Sequence, residues 1–136
     1  MQFDLTKEYL EDLAESILDV FSDKRKVDLA VEIEDLTLSV NQLFPLGTIV
    51  NELVTNSLKH AFAERETGEI GMSLKKNGTN AVLSIYDDGS GIPESDGPEK
   101  FSGFGLMLVK ALAEQIDGVF RIQTGPGTRC DIIFPL

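Results

Sequence analysis

The stretch NELVTNSLKH, residues 51–60, carries two patterns at once. Leu53, Val54 and Leu58 give the apolar spacing of a helix that buries one side. Glu52, Asn56 and His60 stand four residues apart, so an unbroken α-helix stacks all three on one stripe. An amide oxygen and a carboxylate are hard ligands, suited to magnesium or to orienting a water molecule. A histidine one turn further on can donate a hydrogen bond to phosphate. Taken alone, such a stripe reads as a solvated helix face, and His60, with no cysteine partner, does not support a zinc site. Its meaning depends on what the rest of the chain puts beside it.

Around this stretch the spacing predicts a helix from about Pro45 to Phe62, proline being tolerated in a first turn. Upstream, Leu5, Tyr9, Leu10, Leu13, Ile17, Leu18 and Phe21 predict an amphipathic helix over 5–21. SDKRK (22–26) is a polar break. VDLAVEI (27–33) and LTLSV (36–40) alternate apolar and polar residues and predict strands with one buried face. Downstream, GEIGMSLKK and TNAVLSIYD flank Asn77-Gly78, a hairpin signal. Residues 88–102, rich in Gly, Pro, Ser and Asp, form a loop. GFGLMLVKALAEQID predicts a third helix capped at Gly118, and strands over about 119–124 and 128–134 close the chain around GPG. This order predicts a two-layer α+β sandwich, with helices on one face of a mainly antiparallel mixed sheet. Nothing in it demands a run of parallel βαβ units.

Composition narrows the partners. The 136 residues fit a single domain spanning 1–136, and a hydrophobic share of 42% supports a core. Twelve basic against 23 acidic residues leave a net charge of −11. That balance argues against nucleic acid, whose phosphates are met by Lys and Arg, and against direct contact with an anionic membrane. A phosphorylated ligand would need local help from backbone N–H groups or a cation. The single cysteine, Cys130, excludes an internal disulfide and fits a reducing compartment. With no transmembrane-length apolar run and no signal-peptide pattern at MQFDLTKEYL, a cytoplasmic domain is expected, whether its parent protein is soluble or membrane-anchored.

Three further segments carry chemistry. In YDDGSGIP (86–93), strand parity places Asp87 on the face of Leu83 and Ile85. A carboxylate ending a core-facing row is costly without donors aimed at it. When ionised it only accepts hydrogen bonds, which suits the exocyclic amine of adenine. Gly89 and Gly91 leave room for a flat ring. In SGFGLMLVK (102–110), glycines open a helix whose free N–H groups and positive potential favour phosphate, although the segment matches neither a P-loop nor a complete G-x-G-x-x-G. In GPGTRCDIIFP (125–135), the Thr128 hydroxyl begins the last strand and can bond a nucleobase or a bridging water.

Each segment has an ordinary structural reading, but their order is specific. E-x-x-x-N-x-x-x-H on a helix, a strand ending D-x-G-x-G, a G-x-G-L helix start and G-x-G-T before a terminal strand resemble the GHKL (Bergerat-fold) ATPase superfamily of sensor histidine kinases, type II topoisomerases, Hsp90 and MutL. The resemblance covers about Leu5 to Leu136. LGTIVNELVTNSLKHAF and the following GEI look most like the ATP-binding catalytic domain of sensor histidine kinases, in the group with the second, HisKA-like acceptor region.

The resemblance implies Mg-ATP as ligand. Asn56 would coordinate magnesium, and Glu52 would act as general base or orient the acceptor imidazole. Lys59 and His60 would touch phosphate. Asp87 would recognise the adenine amine, with Gly89 and Gly91 shaping the base pocket. Gly103, Gly105 and Leu106 would support the lid and the phosphate-binding helix start, and Thr128 would complete the base contacts. Residues from about Pro93 to Ser102 would form the lid. The chain departs from many such kinases in having only Phe101 and Phe104 where a phenylalanine-rich box is common, a shorter glycine run, and Cys130 where an aliphatic or aromatic residue is usual.

A histidine kinase phosphorylates a histidine on a separate dimeric hairpin, and the only histidine here is His60. The resemblance therefore implies a catalytic domain without its acceptor-histidine and sensor domains, or a protein that acts on a partner in trans. Its partners would be the dimerisation and phosphotransfer domain of the parent kinase and, indirectly, a response regulator. The alternatives are an anti-sigma-factor-like serine kinase, which would leave phosphoserine on an antagonist protein, and a non-catalytic nucleotide-binding interaction module, against which Glu52 and Asn56 argue.

Overall fold

Alternation of side chains along each strand decides which way this sheet faces. The computed structural model describes residues 2–3, 6–21, 26–61, 67–89 and 104–136, without the side chains of residues 2, 3, 21, 60, 61 and 104. Its elements are β1 (Gln2–Phe3), α1 (Thr6–Phe21), β2 (Lys26–Ile33), β3 (Leu38–Ser39), α2 (Val40–Asn56), a π-helical turn (Ser57–Ala61), β4 (Thr67–Asn77), β5 (Asn80–Asp87), α3 (Phe104–Gln115), β6 (Val119–Thr124) and β7 (Thr128–Pro135).

Five strands form the main sheet in the order β2-β4-β5-β7-β6. The register lines up Ile33, Leu74, Leu83, Ile132 and Phe120 in one row across it, and Val31, Met72, Ile85, Cys130 and Ile122 in the next. These rows share one face and join the core residues of α1, α2 and α3, among them Leu10, Ile17, Leu46, Ile49, Val50, Val109 and Ala113. The expected architecture, helices on one face of a mainly antiparallel mixed sheet, is the one observed. The exception to antiparallel pairing is β2 with β4, which run parallel and are bridged by α2. The order thus holds one βαβ unit and no run of them.

The other face is solvated. There the Tyr86 ring lies over Gly71, its cross-strand partner, where any Cβ would collide with the ring. The Arg129 guanidinium sits 5.9 Å from the Tyr86 centroid and bonds Asp131 and Ser84. Arg129 is half exposed, so this cluster orders the surface more than it stabilises the fold.

Three boundaries differ from the sequence expectation. The strand expected over 36–40 shrinks to Leu38–Ser39, which pairs antiparallel with Gln2–Phe3, and α2 starts at Val40 instead of Pro45. Ser39 has extended dihedrals, and its N–H donates to Gln42 Oε1 at 3.2 Å, a reciprocal cap that starts the helix five residues early. The Gln42 amide also donates to the Pro135 carbonyl, tying that cap to the end of β7. Pro45 therefore lies inside the helix, buried. The hairpin loop is Gly78-Thr79, one residue later than Asn77-Gly78, with Asn77 paired to Asn80. Gly78 has φ 65° and Thr79 has no positive φ, as in a type II′ turn, which needs glycine first. At the end of α3 the left-handed residue is Asp117 (φ 58°), not Gly118. Asp117 N–H bonds the Glu114 carbonyl and Gly118 N–H the Ala113 carbonyl, a Schellman closure. Gly118 is small for a different reason: a Cβ there would come within 3.0 Å of the Ile133 carbonyl.

Leu83, 1% exposed on β5 between Leu74 and Ile132, tests the core rows. Leu83→Ala is expected to cost about 2–5 kcal/mol, read as a lower urea midpoint at unchanged m-value.

Candidate nucleotide-binding site

One more row crosses the sheet on the core face, at its end: Leu29, Ile70, Asp87, Thr128 and Thr124. Parity places Asp87 inward as expected, and its burial is nearly complete at 6% exposed. The carboxylate is held from three directions. Ser57 Oγ donates to Oδ2 at 2.9 Å, Gly89 N–H donates to Oδ1 at 3.0 Å, and the backbone of Thr128 contributes a further bond. Burial raises the Asp87 carboxyl above its usual range; these three bonds pull it back, and the neighbouring Asp88 charge pushes it up again.

The other wall is the end of α2. Its buried residues Leu46, Ile49, Val50, Leu53 and Val54 pin it to the sheet, which presents Asn56, also 6% exposed, toward the same end of the molecule as Asp87. Glu52, one turn earlier, is half-buried. The α winding stops at Asn56 and residues Ser57–Ala61 turn as a π-helix. The four-residue stripe through Glu52, Asn56 and His60 is therefore correct for its first step only. Ser57 itself keeps α-helical dihedrals and its N–H bonds the Leu53 carbonyl, which continues the buried stripe of α2 and sets its hydroxyl on Asp87; the wider turn takes over after it. Lys59 is exposed on this turn; the His60 side chain lies outside the described residues.

The third part is the GPG turn. A Cβ on Gly127 would collide with the Asp87 carbonyl, so only glycine lets the loop lie against the base of β5. Gly125 meets nothing and needs no such allowance. An open hollow of about 270 Å³ lies at this turn, lined by Tyr86 and Arg129 of the solvated face as well as by Asp87, Thr124 and Thr128, but not by Asn56 or Ser57. Gly105, in the first turn of α3, is buried, and Leu106 joins the core. Gly91, Gly103, Phe101 and the expected lid from Pro93 to Ser102 lie outside the described residues. Cys130, one row in from Thr128, is a core residue; burial and the charges of Asp87 and Asp131 push its thiol up to about 12.

Buried polar atoms are ordinarily paired. Among the described residues four are not: Asn56 Nδ2, Thr128 Oγ1, Thr55 Oγ1 beside Asn56, and Thr6 Oγ1 in α1. Of these, Thr128 stands opposite Asp87, a carboxylate with acceptor capacity to spare. The set of an unpaired amide, an unpaired hydroxyl, a buried acceptor and a glycine that clears close approach suits a polar, planar ligand with an exocyclic amine. Ser57 and Gly127 were not singled out from sequence. Gly127 had a signal in the GPG repeat of glycines, and Ser57 had one in its place on the buried stripe of Val50, Leu53 and Val54, although its partner Asp87 was not legible.

With this geometry in place, the known proteins can be compared. The family model for histidine kinase-, DNA gyrase B- and HSP90-like ATPases matches residues 41–136. The sensor histidine kinase PdtaS of Mycolicibacterium smegmatis is 26% identical over 130 residues, covering 91% of this chain and 26% of that protein. The sensor histidine kinase LiaS of Bacillus subtilis is 30% identical over 122 residues, covering 88% of this chain and 32% of its own length. The histidine kinase domain of the blue-light activated kinase EL346 from Erythrobacter litoralis superposes with a TM-score of 0.87 at 25% identity, over 96% of this chain and 61% of that one. The chain belongs to the histidine kinase-, gyrase B- and HSP90-like ATPase family. Within that family its relatives and structural neighbours make it an ATP-binding catalytic domain of the histidine kinase type. It spans roughly a quarter to a third of the length of the two curated relatives.

Two outcomes test this geometry. Gly127→Ala is expected to cost about 1–3 kcal/mol, since the turn must shift off the Asp87 carbonyl, and the loss appears in a denaturant titration. Because the Asp87 carboxyl is raised, the stability it contributes is complete below the unfolded value of about 3.9. That contribution is lost as pH rises through the folded-state value. Urea midpoints of the nucleotide-free domain, compared between pH 4 and pH 7, should therefore fall less in Asp87→Asn than in the wild type.

Proposed function

We propose that this chain is the Mg-ATP-binding catalytic domain of a two-component sensor histidine kinase, which transfers the γ-phosphoryl group to a histidine on a separate dimerisation domain. The observation that carries the reading is a buried acceptor, Asp87, opposite Thr128, whose hydroxyl has no partner among the described residues. Asn56, unpaired at Nδ2, directly precedes Ser57, which bonds that acceptor.

In this reading Asp87 accepts the adenine amine, and Thr128 Oγ1 completes the base edge, with Gly89 and Gly91 leaving space for the ring. Asn56 turns its amide oxygen to magnesium. Among the described residues no cluster of three or more carboxylate, histidine or cysteine side chains could hold a metal. Magnesium at nucleotides is usually bound mainly through phosphates and water, with few protein ligands. When bound, magnesium neutralises charge developing on the transferred phosphoryl group. Lys59 and His60 would contact phosphate, Gly103, Gly105 and Leu106 would support the lid and helix start, and Glu52 would orient or deprotonate the incoming imidazole.

Phosphoryl transfer asks for alignment and charge neutralisation. Asn56 serves the second; docking on the dimerisation and phosphotransfer domain serves the first, and a response regulator follows downstream. No described helix is long and apolar enough to cross a membrane, and the proposed place of action is the cytoplasm. His60, the chain's one histidine, belongs to the nucleotide site in this reading. The acceptor is therefore elsewhere.

Calorimetry is expected to show ATP binding that strengthens with magnesium. Asn56→Ala should remove most of the magnesium effect. Asp87→Asn should weaken ATP about 10- to 100-fold, the loss of a hydrogen bond to a charged group. The domain alone should leave no phosphohistidine on itself yet label a supplied acceptor domain. Acid-labile phosphate on the isolated chain, or full transfer by Asn56→Ala, would count against the reading.

A further inference from the structure

We infer that Ser57 is a positioning residue for base recognition: its hydroxyl orients Asp87 so that the site selects 6-amino over 6-oxo purine nucleotides. This rests on the proposed role of Asp87.

Ser57 is 5% exposed and donates to Asp87 Oδ2 at 2.9 Å, while Gly89 N–H donates to Oδ1 at 3.0 Å. With a fixed donor on each oxygen, the carboxyl plane cannot turn freely. Its remaining lone pairs then point where the pocket, rather than the side-chain torsion, directs them. Both donors also favour the acceptor-only form of the carboxylate, which burial opposes. An acceptor-only group bonds the amine at C6 of adenine and repels the carbonyl at C6 of hypoxanthine. Without the serine donor, Asp87 can rotate or take up a proton and present a donor to the carbonyl instead.

Position in the chain adds to this. Ser57 follows Asn56 directly, at the junction where α2 becomes the π turn. Alanine would fill the same space and is the better helix former, so the hydroxyl is explained by its one bond across 30 residues to Asp87.

The test is calorimetry of ATP and of inosine triphosphate, with magnesium, on the wild type, Ser57→Ala and Asp87→Asn. Thermal unfolding controls for folding. The wild type should prefer ATP. Ser57→Ala should bind ATP roughly tenfold more weakly and inosine triphosphate less than about twofold more weakly, so that the preference narrows. A purely structural loss would lower both affinities equally. Retention of the full preference in Ser57→Ala, alongside a loss of ATP binding in Asp87→Asn, would overturn the role of Ser57 and leave the pocket standing. A wild type with no preference would overturn both. If Ser57→Ala does not fold, Ser57→Cys replaces it: a weaker donor of similar size should give an intermediate preference, and an unchanged one refutes the role.

Discussion

A carboxylate closes the core-facing row of β5, and the architecture around it follows from the need to make that burial tolerable. Moving an ionised group out of water is costly unless donors replace the solvent. Three elements supply them here: the loop leaving β5, two residues on, and, distant in sequence, the end of α2 and the start of β7. Each must therefore arrive within hydrogen-bond distance of one side chain. The sheet end, the helix end and the GPG turn are held in a common geometry by that requirement.

The scaffold makes this possible through register. Antiparallel pairing of β5 with β7 sets Asp87 opposite Thr128, and the same ladder sets Ile85 opposite Cys130 and Leu83 opposite Ile132. Two apolar rows anchor the sheet to the helices, and the third row, at the end, is free to be polar. A slip of one residue would move Asp87 to the solvated face and bury Tyr86 or Asp88 in its place. The hydrophobic core thus specifies the position of the polar group it excludes. Likewise, the buried stripe of α2 fixes where Asn56 and Ser57 stand, because the helix can rotate only by exposing Leu53 and Val54.

Much of this was legible in the residues. Alternation in VDLAVEI and TNAVLSIYD gave the strands and the inward aim of Asp87, and the spacing in NELVTNSLKH gave the helix and the pairing of Glu52 with Asn56. The errors came where local patterns compete. Leu36, Leu38 and Val40 alternate like a strand, yet the Ser39–Gln42 cap turns the chain into a helix at Val40. Gly118 looked like the left-handed cap, yet Asp117 takes that conformation, which a short polar side chain tolerates. The stripe read as running through His60 loses its period at Asn56, because nothing in the letters SLKHA announces a π turn.

The sequence by itself determined the period of each element, the face each strand buries, and an ordered set of motifs placing the chain among the histidine kinase-like ATPases. Those features are local, fixed by spacing, side-chain volume and turn chemistry. Only the tertiary structure decided that Ser57 donates to Asp87, that Gly127 must lie against the Asp87 carbonyl, and that Asn56 and Thr128, the latter opposite Asp87, are left with unpaired polar atoms. Each of these is a relation between residues dozens of positions apart. Hydrogen bonding at 2.9 Å depends on where the whole core has placed both ends, which no periodicity in a single segment records.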